Sequence, residues 1–139
     1  MIATSHRAAT LQDLQTLAGF HDPAGNAVSF YFKPGQGEAA ERDAMIAQLR
    51  ARSIISDSFG QEKPHSGLLR DLDAVMKISE ETEAGAPMKV VFACHDQGVW
   101  EEFDLPSGQR IVRIEAGKQF DLAPLQRLLQ QGAPGGPVH

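Results

Sequence analysis

The start of the chain changes from a helical to an alternating pattern of apolar positions. Three leucines recur at three-residue intervals after Thr10, a favoured N-cap residue, and Gly19 follows as a stop signal. After the turn cluster HDPAGN, the segment AVSFYFKP is rich in β-branched and aromatic residues. The pattern therefore predicts a short helix and then a strand, with one face of the strand formed by Val28, Phe30 and Phe32.

The middle of the chain carries two long helical patterns with a short polar crossing, GQEKPHSG, between them. The first pattern runs over 38–59 and predicts a buried face that includes Met45, Leu49 and Ile55. Gly60 follows as a natural stop. The second pattern runs over about 66–83, and its apolar stripe consists of Leu68, Leu72, Val75 and Met76.

The last third of the chain predicts three strands and a helix. MKVVFAC is a nearly continuous apolar run, which is typical of a strand buried on both faces. GVWEEFDLP and QRIVRIEAG follow after tight turn signals, so the three runs together predict an antiparallel meander, and LAPLQRLLQQ predicts a final helix.

The element order predicts an α/β fold of the α+β type. We expect a four-stranded mixed or antiparallel sheet flanked by helices, with the long helical hairpin between the first and second strands. Residues 1–131 form the predicted domain. Residues 132–139, rich in Gly and Pro, are predicted to be a flexible tail.

Composition limits the classes of function. The chain has 139 residues, 42% hydrophobic and 22% charged, which is ordinary for one globular domain. Its net charge of -5 argues against holding nucleic acid by bulk electrostatics, because phosphate binding needs clustered Lys and Arg. Cys94 is the single cysteine, so no internal disulfide can form, and a buried core position is predicted for it. The sequence has no signal-peptide pattern and no membrane span, so a cytoplasmic location is predicted.

Motifs for chemistry are weak in this sequence. The five histidines are scattered without the spacing of a metal site, and PGQG lacks the residues of a phosphate-binding loop. The serines lie outside G-x-S-x-G, and Glu101 and Glu102 are expected to point to opposite faces of one strand. We therefore predict no catalytic residue, no metal and no cofactor.

The polar crossing between the two long helices is the remaining candidate site. Lys63, His65 and Arg70, with Arg50 and Arg52 on the preceding helix, would give a small basic patch on an acidic domain, suited to a few phosphate contacts. A plain helix–helix connection is the simpler interpretation of the same stretch. The candidate partner-binding residues are Gln61, Glu62, Lys63, His65 and Arg70.

Several segments resemble the N-terminal domain of the archaeal and eukaryotic class-one translation release factors. The segments SIISDSFG and LLRDLDAVMKI resemble the two sides of that domain's helical hairpin. VSFYF, KVVFACHDQGVWEEFDLP and LAPLQRLLQ are most similar to the bacterial branch of the superfamily. The resemblance covers about residues 10–131 and implies the same fold.

Both functional motifs of the release factors are missing here. Their hairpin tip carries Asn-Ile-Lys-Ser for reading stop codons, where this chain has GQEKPHSG, and the Gly-Gly-Gln of their central domain is absent. The chain stops where the family's linker to that domain would begin. Family members without these motifs are thought to be ribosome-associated factors in rescue, hibernation or quality control, so the resemblance implies a non-enzymatic domain that contacts the ribosome or rRNA.

Two alternatives stay open. One is a protein–protein interaction module with no RNA contact, which the acidic charge favours. The other is an enzyme or small-molecule site at the strand end that carries Cys94, His95 and Asp96. The sequence does not indicate an oligomeric state.

Overall fold

The computed structural model describes residues 8–33, 38–58, 66–81, 88–105 and 111–131. Its elements in chain order are α1 (Leu11–Ala18), β1 (Ala27–Phe32), α2 (Glu38–Ser58), α3 (Ser66–Glu81), β2 (Lys89–Cys94), β3 (Val99–Asp104), β4 (Arg113–Gly117) and α4 (Ala123–Gln131). A 3-10 turn (His95–Gln97) links β2 to β3. The predicted order of helices and strands is confirmed.

The four strands form one antiparallel sheet in the order β3-β2-β1-β4. In the centre of the sheet, Phe30 of β1 lies opposite Val91 of β2 on one side and Ile114 of β4 on the other. The prediction of a four-stranded sheet with the helical hairpin between its first two strands is therefore confirmed.

The predicted three-strand meander is wrong. Strand β3 does pair with β2, but β4 crosses to the far side of β1 and pairs there instead of with β3. Strand β1 is buried throughout, so without β4 one of its edges would leave backbone N–H and C=O groups buried and unpaired. Turn signals in the sequence predict where each strand ends. They do not show that the second edge of β1 needs a partner strand.

Helices cover the sheet on both sides. All six residues of β1 are buried, and all six of β2 are as well, so alternate side chains of each strand need cover on opposite faces. We call the side covered by α2 and α3 the hairpin face, and the side covered by α1 and α4 the opposite face. The hairpin-face core includes the predicted trio Val28, Phe30 and Phe32.

Helix α3 buries its predicted stripe, but α2 does not. Leu68, Leu72 and Val75 of α3 are buried against the hairpin face and Met76 is partly buried there. On α2, Met45 and Leu49 are 61% and 57% exposed, so their predicted burial is wrong.

Two alanines and one isoleucine form the buried face of α2. Ala47, Ala51 and Ile54 pack on the sheet, and Ile55 is partly buried beside them. Alanine side chains let a helix backbone approach the sheet closely, and this orientation turns the larger apolar side chains away. An analysis of periodicity that gives the most weight to large apolar side chains therefore predicts the wrong buried face for such a helix.

On the opposite face, α1 begins as predicted at Thr10. The Thr10 hydroxyl accepts a hydrogen bond from Asp13 N at 3.2 Å, and Thr10 N donates to the Asp13 carboxylate at 2.9 Å, so the two residues form a capping box. Leu17 of α1 and Leu125 and Leu128 of α4 join the same core. The N-terminal and C-terminal helices thus share one layer.

Two buried polar side chains of β1 hold the start of α4. The Tyr31 hydroxyl donates to the carbonyl of Asp121 at 2.5 Å, and the Ser29 hydroxyl accepts from Asp121 N at 2.8 Å. Burial, followed by the charge of Asp121, raises the pKa of Tyr31, so this phenol remains a donor at neutral pH. Each polar atom that β1 buries here has a partner, as buried polar groups require.

Neighbouring leucines on α3 provide a test of this packing. Leu68→Ala, at a side chain only 3% exposed, should lower the free energy of unfolding by about 2–5 kcal/mol, because it leaves a cavity in the hairpin-face core. Leu69→Ala, at a side chain 42% exposed, should change it by about 0.5 kcal/mol or less. Urea unfolding followed by circular dichroism measures both. Equal losses would contradict the placement of α3.

Candidate partner-binding site

The start of α3 lies at the end of the sheet where β1 begins and β2 ends. We call this end the sheet end. Helix α2 lies over β4, and α3 lies over β1, β2 and the 3-10 turn. Arg70 is exposed on the first turns of α3, close to this end. The other four candidate residues, at positions 61, 62, 63 and 65, lie outside the described residues.

Asp71 joins α3 to the end of β2. Its side chain is only 4% exposed, and its Oδ2 accepts a hydrogen bond from His95 N at 2.7 Å. Burial raises the pKa of Asp71, and the hydrogen bond from His95 opposes that rise. The sequence holds a signal for this contact, because Asp71 lies three residues after Leu68, on the apolar stripe of α3, where a polar side chain needs a specific partner.

Gly67 lets the first turn of α3 come close to the 3-10 turn. A Cβ at this position would overlap the carboxylate of Asp96, whose other oxygen accepts from Asn26 Nδ2 at 3.2 Å. The negative carboxylate lies at the N-terminal end of α3, where it complements the helix dipole. Through Asp96, the starts of α3 and β1 are therefore tied to the turn after β2.

Asp22 is the centre of a second polar group at the sheet end. Its carboxylate accepts from Asn26 N at 2.9 Å, from Gln97 Nε2 at 3.3 Å and from Cys94 Sγ at 3.6 Å. Burial acts to raise the pKa of Asp22, but these hydrogen bonds and one from Ala24 N outweigh it, so the pKa is lowered from 3.8. Through Asn26 N and Ala24 N, Asp22 caps the turn that precedes β1. Its contacts with the distant Gln97 and Cys94 have no signal in the sequence.

Cys94, His95 and Asp96 do not converge on a common point. Cys94 is fully buried and donates to Asp22, while His95 and Asp96 are exposed. Burial raises the pKa of Cys94 to about 11, so the thiol is protonated at neutral pH and lacks the thiolate that a nucleophile needs. The core position predicted for Cys94 is confirmed, and this geometry gives the small-molecule alternative no support.

The paired glutamates of β3 point to opposite faces, as predicted. Glu101 is exposed, whereas Glu102 is 8% exposed and accepts from Trp100 Nε1 at 2.8 Å. Among the described residues, no group of three or more His, Cys, Asp or Glu side chains is arranged to hold a metal ion. In the same part of the chain, no helix has the length and apolar character needed to cross a membrane.

The predicted basic patch loses one of its members. Arg50 Nη2 lies 2.6 Å from Glu115 Oε1, so this guanidinium is directed to β4, at the sheet edge beyond α2. Arg70 belongs to α3. That helix lies over β1 and β2, whereas α2 lies over β4. The structure therefore does not bring Arg50 and Arg70 together.

Solved structures with a similar fold include the following two. One is described as an archaeal protein and matches with a TM-score of 0.60 and 20% sequence identity, over 86% of this chain and 34% of that chain. The other is the archaeal translation termination factor aRF1, with a TM-score of 0.61 and 19% identity, over 87% of this chain and 33% of that chain. No protein-family model matches the sequence, and no curated protein sequence does either.

These similarities identify the fold class. The chain has a release-factor-like fold, as the resemblance in its sequence implied. It spans about a third of the length of each of the two similar structures. At 19–20% identity the likeness concerns the fold alone.

Asp22→Asn tests the polar group at the sheet end. At pH 7 we expect the free energy of unfolding to fall by about 1.5–3 kcal/mol, because hydrogen bonds to a buried charged acceptor are lost or weakened. A lowered pKa means that the charged Asp22 stabilises the fold above pH 3.8, and that this contribution is lost as the pH falls through the folded-state pKa.

The difference between wild type and Asp22→Asn should therefore shrink as the pH is lowered below 3.8. Urea unfolding at several pH values measures it. A difference that stays constant with pH would show that the effect of the substitution comes from shape and not from charge.

Proposed function

We propose that this domain is a non-enzymatic binding domain that docks on the ribosome or on a translation complex through the tip of the α2–α3 hairpin. The observation that carries the proposal is the hairpin itself, placed over the sheet in a fold that is similar to part of an archaeal translation termination factor. Membership of the bacterial branch of the release-factor superfamily is part of the proposal and rests on the sequence motifs.

The proposed contact is electrostatic and local. Lys63 and Arg70 supply cations, His65 can supply another, and Gln61 and Glu62 complete the tip. A few phosphate contacts of this kind give weak binding that falls as salt rises. Without Asn-Ile-Lys-Ser at the tip, the proposal is docking and does not include stop-codon reading. Contact with ribosomes places the protein in the cytoplasm, which is part of the same proposal.

The rigid attachment of α3 supports a role for the tip. Asp71 and Gly67 hold the start of this helix against the 3-10 turn, so the point where the connection enters α3 is fixed relative to the sheet. A binding loop needs such a fixed support, because an ordered support lowers the entropy lost on binding. The same contacts would also stabilise a plain helix–helix connection, so a binding experiment is needed to separate the two.

A second candidate function is a protein–protein interaction module. It is favoured by the net charge of -5 and by three large apolar side chains exposed on one helix, Met45, Ile46 and Leu49. Apolar side chains in contact with water are typical of protein interfaces and add nothing to phosphate binding.

Co-sedimentation with ribosomes tests the docking proposal. The full chain should sediment with ribosomes at low salt and less so at moderate salt. Lys63→Glu combined with Arg70→Glu should abolish co-sedimentation, because the tip would then repel phosphates.

The matched control is Lys77→Glu combined with Arg127→Glu. It changes the net charge equally but alters exposed positions on the far half of α3 and on α4. The control should bind as the wild type does. The docking proposal is wrong if the wild type fails to sediment at low salt, or if the tip variant binds as well as the control.

A further inference from the structure

The two outer edges of the sheet differ in what lies beside them. At the outer edge of β3, Ala8 forms a parallel bridge with Asp104. Strand β4 lies at the other end of the strand order and, within the described part of the chain, pairs only with β1. An open edge presents backbone N–H and C=O groups that can pair with a strand of another molecule. The outer edge of β4 is therefore where a strand can be added to this sheet.

Alternate side chains of β4 belong to opposite faces of the sheet. Ile114 is buried in the core of the hairpin face, and Ala116 packs beside it. Glu115 lies opposite Ser29 of β1, whose hydroxyl accepts from Asp121 N just before α4. Residues directly opposite each other in neighbouring strands share a face, so Glu115 belongs to the face covered by α1 and α4.

The ion pair between Arg50 and Glu115 crosses the outer edge of β4. Arg50 belongs to α2, which lies over β4 on the hairpin face, whereas Glu115 belongs to the opposite face. Arg50 Nη2 and Glu115 Oε1 are nevertheless only 2.6 Å apart. The inner side of β4 is paired with β1, so the two side chains meet around the outer edge. The guanidinium therefore lies where the backbone of an added strand would have to pass.

A cleft beside this ion pair shows the same geometry. It lies between α2 and β4 and has a volume of about 180 Å³. Its lining includes Val112 and Ile114, which face α2, and also Arg113 and Glu115, which belong to the other face. Residues of both faces meet in one cleft where the sheet ends. Arg50 lines the cleft as well, which places its side chain at that edge.

We propose that the Arg50–Glu115 ion pair closes the outer edge of β4 and prevents it from pairing with β4 of a second copy of the chain. While the pair is formed, the guanidinium occupies the path of the incoming strand, and Glu115 is already bound. Pairing of two chains through this edge requires the ion pair to separate in both of them. Charged side chains protect the edge strands of natural sheets in this way.

The charges of β4 make a second copy of the same strand the partner that fits the open edge. In an antiparallel pair of β4 strands centred on Ile114, Arg113 of each copy lies opposite Glu115 of the other. A pair centred on either charged residue would instead place that residue opposite its own equivalent. The register centred on Ile114 therefore makes the edge complementary to itself.

Neighbouring residues are compatible with the same register. Val112 and Ala116, both apolar, would lie opposite each other on the hairpin face. Arg113 contacts Asp121 of its own chain through Nε at 2.5 Å, and its two Nη groups can bind a further carboxylate. Separation of Arg50 from Glu115 supplies that carboxylate. The ion pair therefore controls both the space and the charge that a second copy needs.

The inference goes beyond the proposed docking function and does not depend on it. It concerns the edge of the sheet beside α2, whereas Arg70 lies on α3, over β1 and β2. Its measurements involve no ribosomes, so a failure of one proposal leaves the other intact.

Sedimentation velocity of the full chain at a series of concentrations tests the inference. Arg50→Ala should lower the dissociation constant of a dimer about tenfold relative to the wild type, because each dimer no longer has to break two surface ion pairs. Glu115→Gln removes the other end of the ion pair and should also strengthen self-association. In the Arg50→Ala dimer, amide hydrogen exchange over 113–117 should slow as the concentration rises.

Two further variants make the test specific. Arg42→Ala removes the same charge from an exposed position earlier in α2 and should leave self-association as it is in the wild type. Arg50→Ala combined with Arg113→Glu should abolish the dimer, because the glutamate introduced at position 113 would lie opposite Glu115 of the second copy. Circular dichroism checks that each variant is folded.

Several results would overturn the inference. Folded Arg50→Ala and Glu115→Gln variants that associate no more strongly than the wild type would do so, as would equal effects of Arg50→Ala and Arg42→Ala. Self-association that persists after Arg113→Glu, or that leaves exchange in β4 unchanged, would show that the contact between copies lies elsewhere.

Discussion

Burial of β1 and β2 on both faces is the constraint on which the rest of the structure depends. Alternate side chains of these strands point to opposite sides, and all of them are shielded from water. A sheet with apolar side chains on both faces needs a layer of helices on each. The α2–α3 hairpin provides one layer, and α1 with α4 provides the other. The placement of α2 and α3 over one face of the sheet follows from this requirement.

Polar contacts at the sheet end fix the position of α3 relative to the sheet. Asp71 binds the backbone of His95, Asp96 binds Asn26 next to Gly67, and Asp22 receives donors from segments far apart in the chain. Burying the carboxylates of Asp22 and Asp71 is unfavourable unless donors surround them, and the contact of Asp71 therefore penalises any other placement of α3. These polar contacts stabilise the attachment of α3 to the sheet, and their role is structural.

Helix α2 has mostly small apolar side chains on its buried face and large apolar side chains on its exposed face. Its alanines allow it to lie close over β4, and Arg50 ties it to Glu115 at the sheet edge. The larger apolar residues Met45, Ile46 and Leu49 are then left exposed to water. The two sides of α2 therefore differ, with one packed on the sheet and the other in contact with water.

The sequence by itself determined the elements and most of the core. The capped start of α1 at Thr10, the alternation in β1 and the stripe of α3 were predictable, because each depends on neighbours within a few residues. The resemblance to release factors also identified the fold. Tertiary structure decided the rest: that β4 pairs with β1, that α2 turns its alanines to the sheet, and that Arg50 and Arg70 lie apart. These outcomes depend on which buried edge needs a partner and on how closely a helix can approach a sheet, and both are set by residues distant in the chain.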